Sequence, residues 1–449
     1  MAKTLTLQIH YGGAWHDAAT VQFEQADKGV AGRTRVEYDD AYYFDVGDPE
    51  RPETGARDAR ALSVSCPVTL DVRAYRGWPP FLVDLLPQGP LRRKFARERE
   101  LDGPDDPRLD LLLLETAATA PIGNLRVKEA WKLEQARLLH ETVPGVTWGE
   151  ILDRSDRFRE LADRFTGLAS GSSGVQGEWP KILMTLADDG LWYPTPAISD
   201  DRARDHVIAK LRKTDERTDR LILEAEPPYL EVARELGLKV GRAMTGHGTA
   251  VIIPRFDRET PGDGQVVRHG QESLYAALNV PGFAGALRHE DCVAKLAEVC
   301  DDAANDVAEY VARDIVNRVF GNVDNHGRNT ALRRRADGRI DLAPFFDFAP
   351  MRMDPRGVAF ATTWTCLRGS GETMNLPRVI DAAAEAAGMD PEALRPKIAG
   401  RLVGLHDALD LARRHRVPDD VIDGALRFDA DLSEQLEMIG ARRDAAPHP

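Results

Sequence analysis

Cysteine is scarce in this chain of 449 residues: there are four, Cys66, Cys292, Cys300 and Cys366. No two form a Cys-x-x-Cys pair, and Cys292 and Cys300 fall on an expected helix without a matching set of His or Cys ligands. The pattern argues against a disulfide framework, and the four read as plain buried thiols of a reduced cytoplasm, with a reactive or metal-binding cysteine as the minor alternative. Long apolar runs are missing too. Nothing approaches the roughly 20 residues that a bilayer-spanning helix needs, and Met1–Leu7 alternates like a strand without the apolar block of a secretory signal. Basic charge is also in deficit. The 59 Lys and Arg against 73 Asp and Glu leave a net charge of −14 and a pI near 5.4, which argues against nucleic acid as partner of the whole surface. A soluble, cytoplasmic protein with no membrane partner is expected.

The composition present is that of a globular protein, 43% hydrophobic and 29% charged, with enough length for two or three domains. One stretch stands out, Gly321-Asn322-Val323-Asp324-Asn325-His326-Gly327-Arg328-Asn329. The run before it, Ala308–Phe320, has Val311, Ile315, Val316, Val319 and Phe320 at helical spacing, and Gly321 suits a left-handed helix stop. The loop itself is too polar for core. Asp324 and Asn329 have the spacing of a phosphoryl-transfer loop, in which Asp takes a hydroxyl proton and Asn holds a metal. Two short strand candidates follow, Thr330–Leu332 and Ile340–Leu342, with a turn signal at Asp337-Gly338. A hairpin of that length returns Phe345-Phe346-Asp347 to the neighbourhood of Asn329.

Upstream, short alternating segments such as Thr4–His10 and Thr69–Tyr75 precede a basic amphipathic helix at Leu91–Glu100, an apolar helix at Leu109–Leu114 and a closing strand at Ile122–Val127. Residues 145–168 have helical period. The Gly/Ser run 170–177 reads equally as a linker, but the strand–turn–strand pattern after it, Lys181–Leu186 and Leu191–Tyr193, suits a loop whose amides cover phosphates. Lys210 sits in the apolar strand His206–Leu211. It is either a solvated strand residue or a nucleotide lysine. A helix at Pro227–Leu236 offers Glu224, Glu226 and Glu231 as its partners, although the helix dipole alone also explains acidic residues near a helix start. Ala250–Arg258 reads as a buried strand running into an extended segment. From Glu272 onward the chain is strongly helical, so a β-rich half precedes an α-rich one.

These segments, in this order, resemble the HipA-type serine/threonine kinase toxins over nearly the whole chain. Asp324–Asn329 is similar to that family's Asp-x-His-x-[Lys/Arg]-Asn loop, and Phe345-Phe346-Asp347 to its metal-binding segment. Ser173-Gly174-Val175-Gln176 is similar to its phosphate loop, His206–Leu211 to its lysine strand and Ile253–Arg258 to its hinge. Leu85–Pro90 and Ile122-Gly123-Asn124 resemble its first subdomain. Three positions depart from the pattern: Gly177-Glu178-Trp179-Pro180 lengthens the phosphate loop, Gly171 replaces a serine that some members autophosphorylate, and Pro254 replaces a Glu.

The resemblance implies an α+β, two-lobed protein-kinase-like fold with an N-terminal subdomain at 1–130. A part like the kinase N-lobe is expected at 131–260, a helical C-lobe at 261–442 and a frayed tail at 443–449. It implies ATP and Mg²⁺ as cofactors. Asp324 would act as catalytic base, with Asn329 and Asp347 as metal ligands. ATP would be bound by Ser172, Ser173, Gly174 and Val175, by Lys210 held by Glu226, by hinge residues Pro254, Arg255 and Phe256, and by His326, Arg328 and Phe346. Ser173 or Ser172 would be the autophosphorylation site. The implied target is an aminoacyl-tRNA synthetase, glutamyl-tRNA synthetase in the family's best-known case. The implied partner is a HipB-like helix-turn-helix antitoxin, through which DNA is contacted only indirectly. Two alternatives stay open: a kinase of this fold with another protein or small-molecule substrate, and an inactive member serving as an antitoxin-bound co-repressor.

Overall fold

The computed structural model describes residues 2–46, 58, 60–87, 90–165, 179–262, 264–369 and 374–442. Two compact units alternate along the sequence: Met1–Lys213, Thr249–Gly285 and Ala331–Ile340 form one, and Thr214–Gly248, Ala286–Thr330 and Asp341–Pro449 the other.

The first unit opens with an antiparallel pair, β1 (Lys3–Tyr11) and β2 (Ala14–Phe23). With β3 (Thr34–Tyr38), β4 (Arg73–Tyr75) and β5 (Leu125–Val127) they form a sheet of order β4-β3-β2-β1-β5. The period-two alternation places Leu5, Leu7, Ile9, Val21, Phe23 and Val36 in one core with Leu109, Leu113 and Leu114, and each such side chain contributes about 1.5–3 kcal/mol on burial. Those leucines belong to α2 (Arg108–Ala117), which follows the basic helix α1 (Pro90–Glu98). The helical stretch expected over 145–168 is broken in two, α3 (Trp148–Leu152) and α4 (Asp156–Phe165). A capping box between Thr147 and Glu150 starts α3, and Arg154 at φ 52° interrupts the register.

A second sheet in this unit has the antiparallel order β7-β6-β8-β9, from β6 (Lys181–Ala187), β7 (Trp192–Pro194), β8 (Ala203–Leu211) and β9 (Ala250–Pro254). Ile182, Met184, Val207, Ala209 and Ile252 pack against Phe158, Leu161 and Phe165 of α4. The unit ends with β10 (Gly270–Ser273) paired antiparallel to β11 (Ala331–Arg334).

The second unit is helical. Its first helix, α5, spans Arg217–Glu235 and carries Pro227 and Pro228 inside it, whereas proline reads in sequence as a helix start. The apolar face explains the longer helix: Leu221, Ile222, Leu223 and Ala225 are buried before the prolines, and Tyr229, Leu230, Val232 and Ala233 after them. Then follow α6 (His289–Val299), α7 (Ala303–Val319), α8 (Leu376–Ala387) and α9 (Pro391–Leu402). α7 is central, with even its Asp306, Glu309, Arg313 and Asp314 buried. Tyr229 donates its hydroxyl to the Phe320 carbonyl at 2.9 Å, fixing the end of α7 to α5. No helix among the described residues is long and apolar enough to cross a membrane.

Gly321 ends α7 at φ 70°, and a Cβ there would stand 2.5 Å from the Ala425 carbonyl oxygen. Gly321→Ala is therefore expected to destabilise the protein by about 1–3 kcal/mol, the usual cost of a left-handed non-glycine residue, with the contact adding to it. Denaturant unfolding checks this, and an unchanged midpoint would contradict it.

Candidate functional site

In the second unit, the polar loop after Gly321 folds on itself. Asn329 donates its amide nitrogen to the Asp324 carbonyl at 2.8 Å, and its backbone N–H bonds the His326 carbonyl at 2.9 Å. With its Nδ2 spent inside the loop, Asn329 presents an amide oxygen, a hard donor. His326 is buried, with Nδ1 accepting from the Arg328 N–H at 3.3 Å and Nε2 lying 3.5 Å from Asp324 Oδ1. Burial pushes its pKa down, against the pull of Asp324 and Asp347 upward. A neutral ring with its proton on Nε2, facing the Asp324 carboxylate, satisfies both contacts.

Asp347 comes back to this loop, as the hairpin reading expected. Asn322 donates Nδ2 to its carbonyl at 3.3 Å while holding Asn317 Oδ1 at 2.9 Å. Around Asp347 the aromatics divide. Phe345 and Phe348 stack at 4.7 Å in the core, and Phe348 meets Tyr229 at 4.9 Å. Phe346 and Asp347 remain half-buried. Asp347 is held at φ 54°, a conformation that costs a non-glycine residue about 1–3 kcal/mol and concentrates at functional positions. Among the described residues no group of three or more His, Cys, Asp or Glu side chains could hold a metal. A hard cation at Asp347 and Asn329 would complete its shell with ligand phosphate oxygens and water, the usual arrangement for Mg²⁺. The donor set fits that ion.

Glu226 also lies in this unit. It is 1% exposed, whereas Glu231 pairs with Arg234 at 3.0 Å and Glu224 lies 3.9 Å from Arg220. Because α5 begins at Arg217, Glu226 stands mid-helix, and the helix dipole does not account for it.

In the first unit, Lys210 lies on β8 between Lys181 of β6 and Val251 of β9. It is 4% exposed, so the solvated-strand alternative does not hold. Its Nζ stands 5.8 Å from the Trp179 ring centroid, at the reach of a cation–π contact. Pro254 ends β9, paired with Val207, and the Arg255 N–H bonds the His206 carbonyl at 3.0 Å. The Arg255 side chain turns inward to Asp257 at 2.6 Å, and Phe256 is half-buried. Ser172, Ser173, Gly174 and Val175 lie outside the described residues.

Some of the bonds around these segments had no signal in the sequence. Asp257 accepts from Arg255, Arg258 at 2.7 Å and the Gly123 N–H at 2.8 Å, and Arg258 also bonds the Gly123 carbonyl. The Arg255-Phe256-Asp257-Arg258 stretch is thereby fastened to Ile122-Gly123-Asn124. In the second unit Arg356, salt-bridged to Asp354 at 2.5 Å, lies within electrostatic reach of Asp324. No motif surrounds it.

The buried cluster around Asp257 sets an acid limit. His206 bonds Thr185 Oγ1 through Nδ1 at 3.0 Å, and its Nε2 is buried with no partner among the described residues. Burial, then Arg255 and Arg258, push its pKa down to about 2, and burial with Arg268 and Arg258 takes His10 to about 3. An unfolded histidine protonates near 6.5, so both rings contribute full stability above that pH and lose it as pH falls toward their folded values. The slope is about 1.4 kcal/mol per histidine per pH unit. Thermal melts should drop steadily from pH 6.5 to 4, less steeply in His206→Gln. A flat profile would contradict this.

Residues 173–403 match the HipA-like C-terminal domain family. Y4mE of Sinorhizobium fredii, named as a presumed kinase, is 26% identical over 299 residues, spanning 64% of this chain and 67% of Y4mE. A chain in the Shewanella oneidensis MR-1 toxin–antitoxin complex of HipA, HipB and operator DNA superposes with a TM-score of 0.59. The match covers 97% of this chain and 94% of that one at 15% identity. The fold is thus the mixed, two-lobed, kinase-like one of HipA. The family match takes in more than half of the 449 residues. The chain belongs to the HipA family of kinases.

Proposed function

We propose that this HipA-family kinase is an ATP- and Mg²⁺-dependent serine/threonine-protein kinase working as a toxin. The observation that carries the reading is the pairing of the two motif loops in the second unit, with Asn329 bonded to the Asp324 carbonyl and Asn322 to the Asp347 carbonyl. One loop thereby offers a carboxylate base and an amide oxygen beside a second carboxylate.

Bound Mg²⁺·ATP supplies the phosphoryl group and the screening of its charge. Asp324 orients a substrate hydroxyl and takes its proton, with the neutral His326 ring steering the carboxylate. Asn329 and Asp347 are the assigned metal ligands. Most of the rate comes from positioning and charge neutralisation. Lys210 is assigned to the phosphates with Glu226 as its partner, Pro254, Arg255 and Phe256 to the adenine edge, and Arg328 and Phe346 to the nucleotide. Ser172 to Val175 are assigned to the phosphates as well, with Ser173 or Ser172 as the self-modification site.

Family membership, and the likeness to a chain of a toxin–antitoxin complex, support the toxin role and a HipB-like antitoxin. A translation component such as an aminoacyl-tRNA synthetase is the proposed target. Incubation with radiolabelled ATP and Mg²⁺, with and without cell extract, tests this. A labelled synthetase is expected. Label on a metabolite alone would replace the toxin reading with a small-molecule kinase, and no label at all would favour a co-repressor.

A further inference from the structure

The residue after the proposed base is tied to a distant segment of the second unit. Asn325 donates Nδ2 to the Thr362 carbonyl at 2.9 Å, and its Oδ1 accepts from the N–H groups of Ala361 at 2.9 Å and Thr362 at 3.1 Å. Thr362 returns a fourth bond, from its hydroxyl to the Asn325 carbonyl at 2.7 Å. Thr362 is buried and Asn325 half-buried. Side-chain bonds of this kind contribute about 0.5–1.5 kcal/mol each, and four between Asn325 and the adjacent Ala361 and Thr362 define its backbone closely.

The segment that receives them is itself fixed. Thr362–Thr363 runs parallel to Leu287–Arg288 at the start of α6, and the Leu287 N–H bonds the Ala361 carbonyl at 3.1 Å. Next along, Trp364 donates its indole N–H to Asp314 of α7 at 2.8 Å and stacks on His289 of α6 at 4.8 Å. The loop is thus held at three places: at Gly321 by the end of α7, at Asn322 by Asn317, and at Asn325 by a strip anchored on α6 and α7.

We infer that Asn325 and Thr362 form a positioning clamp that holds Asp324 where it meets the substrate hydroxyl, and that neither residue touches nucleotide. Asp324 precedes Asn325 directly, so a shift of the Asn325 backbone is a shift of the base, and an error of about 1 Å there costs on the order of 100-fold in rate. The clamp spans 37 residues of sequence, so no local motif announces it. This inference rests on the kinase reading proposed above.

The test compares Thr362→Val, which loses the hydroxyl bond at nearly constant volume, with Thr362→Ser, which keeps it. Asn325→Ala serves as a more severe variant. Thr362→Val is expected to lower kcat 10- to 100-fold with KM for ATP within twofold of wild type, and Thr362→Ser to restore kcat to within threefold. Hydrogen exchange of the amides at 325–329 should quicken in Thr362→Val and not in Thr362→Ser. A Thr362→Val enzyme with wild-type kcat, or one losing ATP binding in step with kcat, overturns the clamp and leaves the kinase reading standing. A wild-type protein that transfers no phosphate to any acceptor overturns the kinase reading, and the clamp with it, whatever the exchange rates.

Discussion

Asp324→Asn is expected to bind Mg²⁺·ATP within about twofold of wild type and to transfer phosphate roughly 10²–10⁴-fold more slowly, the usual contribution of a positioned base. The substitution keeps the size of the side chain, and the Asp324 carbonyl that accepts from Asn329 is untouched. The loop should therefore hold its shape while losing the acceptor for the hydroxyl proton. Nucleotide affinity and single-turnover transfer, measured on one preparation, separate the two effects. Equal loss of both would mean that Asp324 serves binding, and full transfer would assign the base elsewhere.

The largest effect on stability is expected from Asp314→Ala. This carboxylate is 4% exposed on α7. It accepts from Arg318 Nε at 3.0 Å and Trp364 Nε1 at 2.8 Å, with His289 Nε2 at 3.3 Å. Those partners keep its pKa well below the carboxylate range despite burial, which alone would raise it. Removing the carboxylate leaves the indole N–H without its acceptor and takes a buried charged acceptor from the Arg318 guanidinium, a loss of about 3–5 kcal/mol. A domain of this size should melt roughly 6–20 °C lower. Asp314→Asn keeps an acceptor for Trp364 and should fall between. Because Trp364 also holds the strip that clamps Asn325, the variant that folds should transfer phosphate more slowly as well. A melting point within 2 °C of wild type, below roughly 1 kcal/mol of loss, would remove Asp314 from the framework.

What could be read in the sequence was local. Gly321 as a helix stop followed from one residue type after a helical run, and the structure places it at φ 70°. The loop at 321–329 stood out because so many polar residues together cannot be core. Asp347 returned to it because the hairpin was short. The limits of α5 were misread because Pro227 and Pro228 are local helix breakers, while apolar faces on both sides carry the helix through them. That error also hid why Glu226, and not Glu224 or Glu231, is the buried glutamate. Asn325 fell on an unspecified position of the loop motif, and its partner lies 37 residues on. Asp257 and Arg258 read as hinge residues by resemblance, but their bonds to Gly123 join segments 135 residues apart, beyond any periodicity. Arg356 had no pattern at all around it.

The central claim, that Asp324 and its loop drive transfer of phosphate to a protein hydroxyl, is tested most directly by comparing phosphoproteomes. Cells of the native host type would express the wild-type chain or Asp324→Asn at matched levels. The account predicts a new phosphoserine or phosphothreonine on a translation component with the wild type and none with the variant. Identical phosphoproteomes, or new sites that persist with Asp324→Asn, would contradict it.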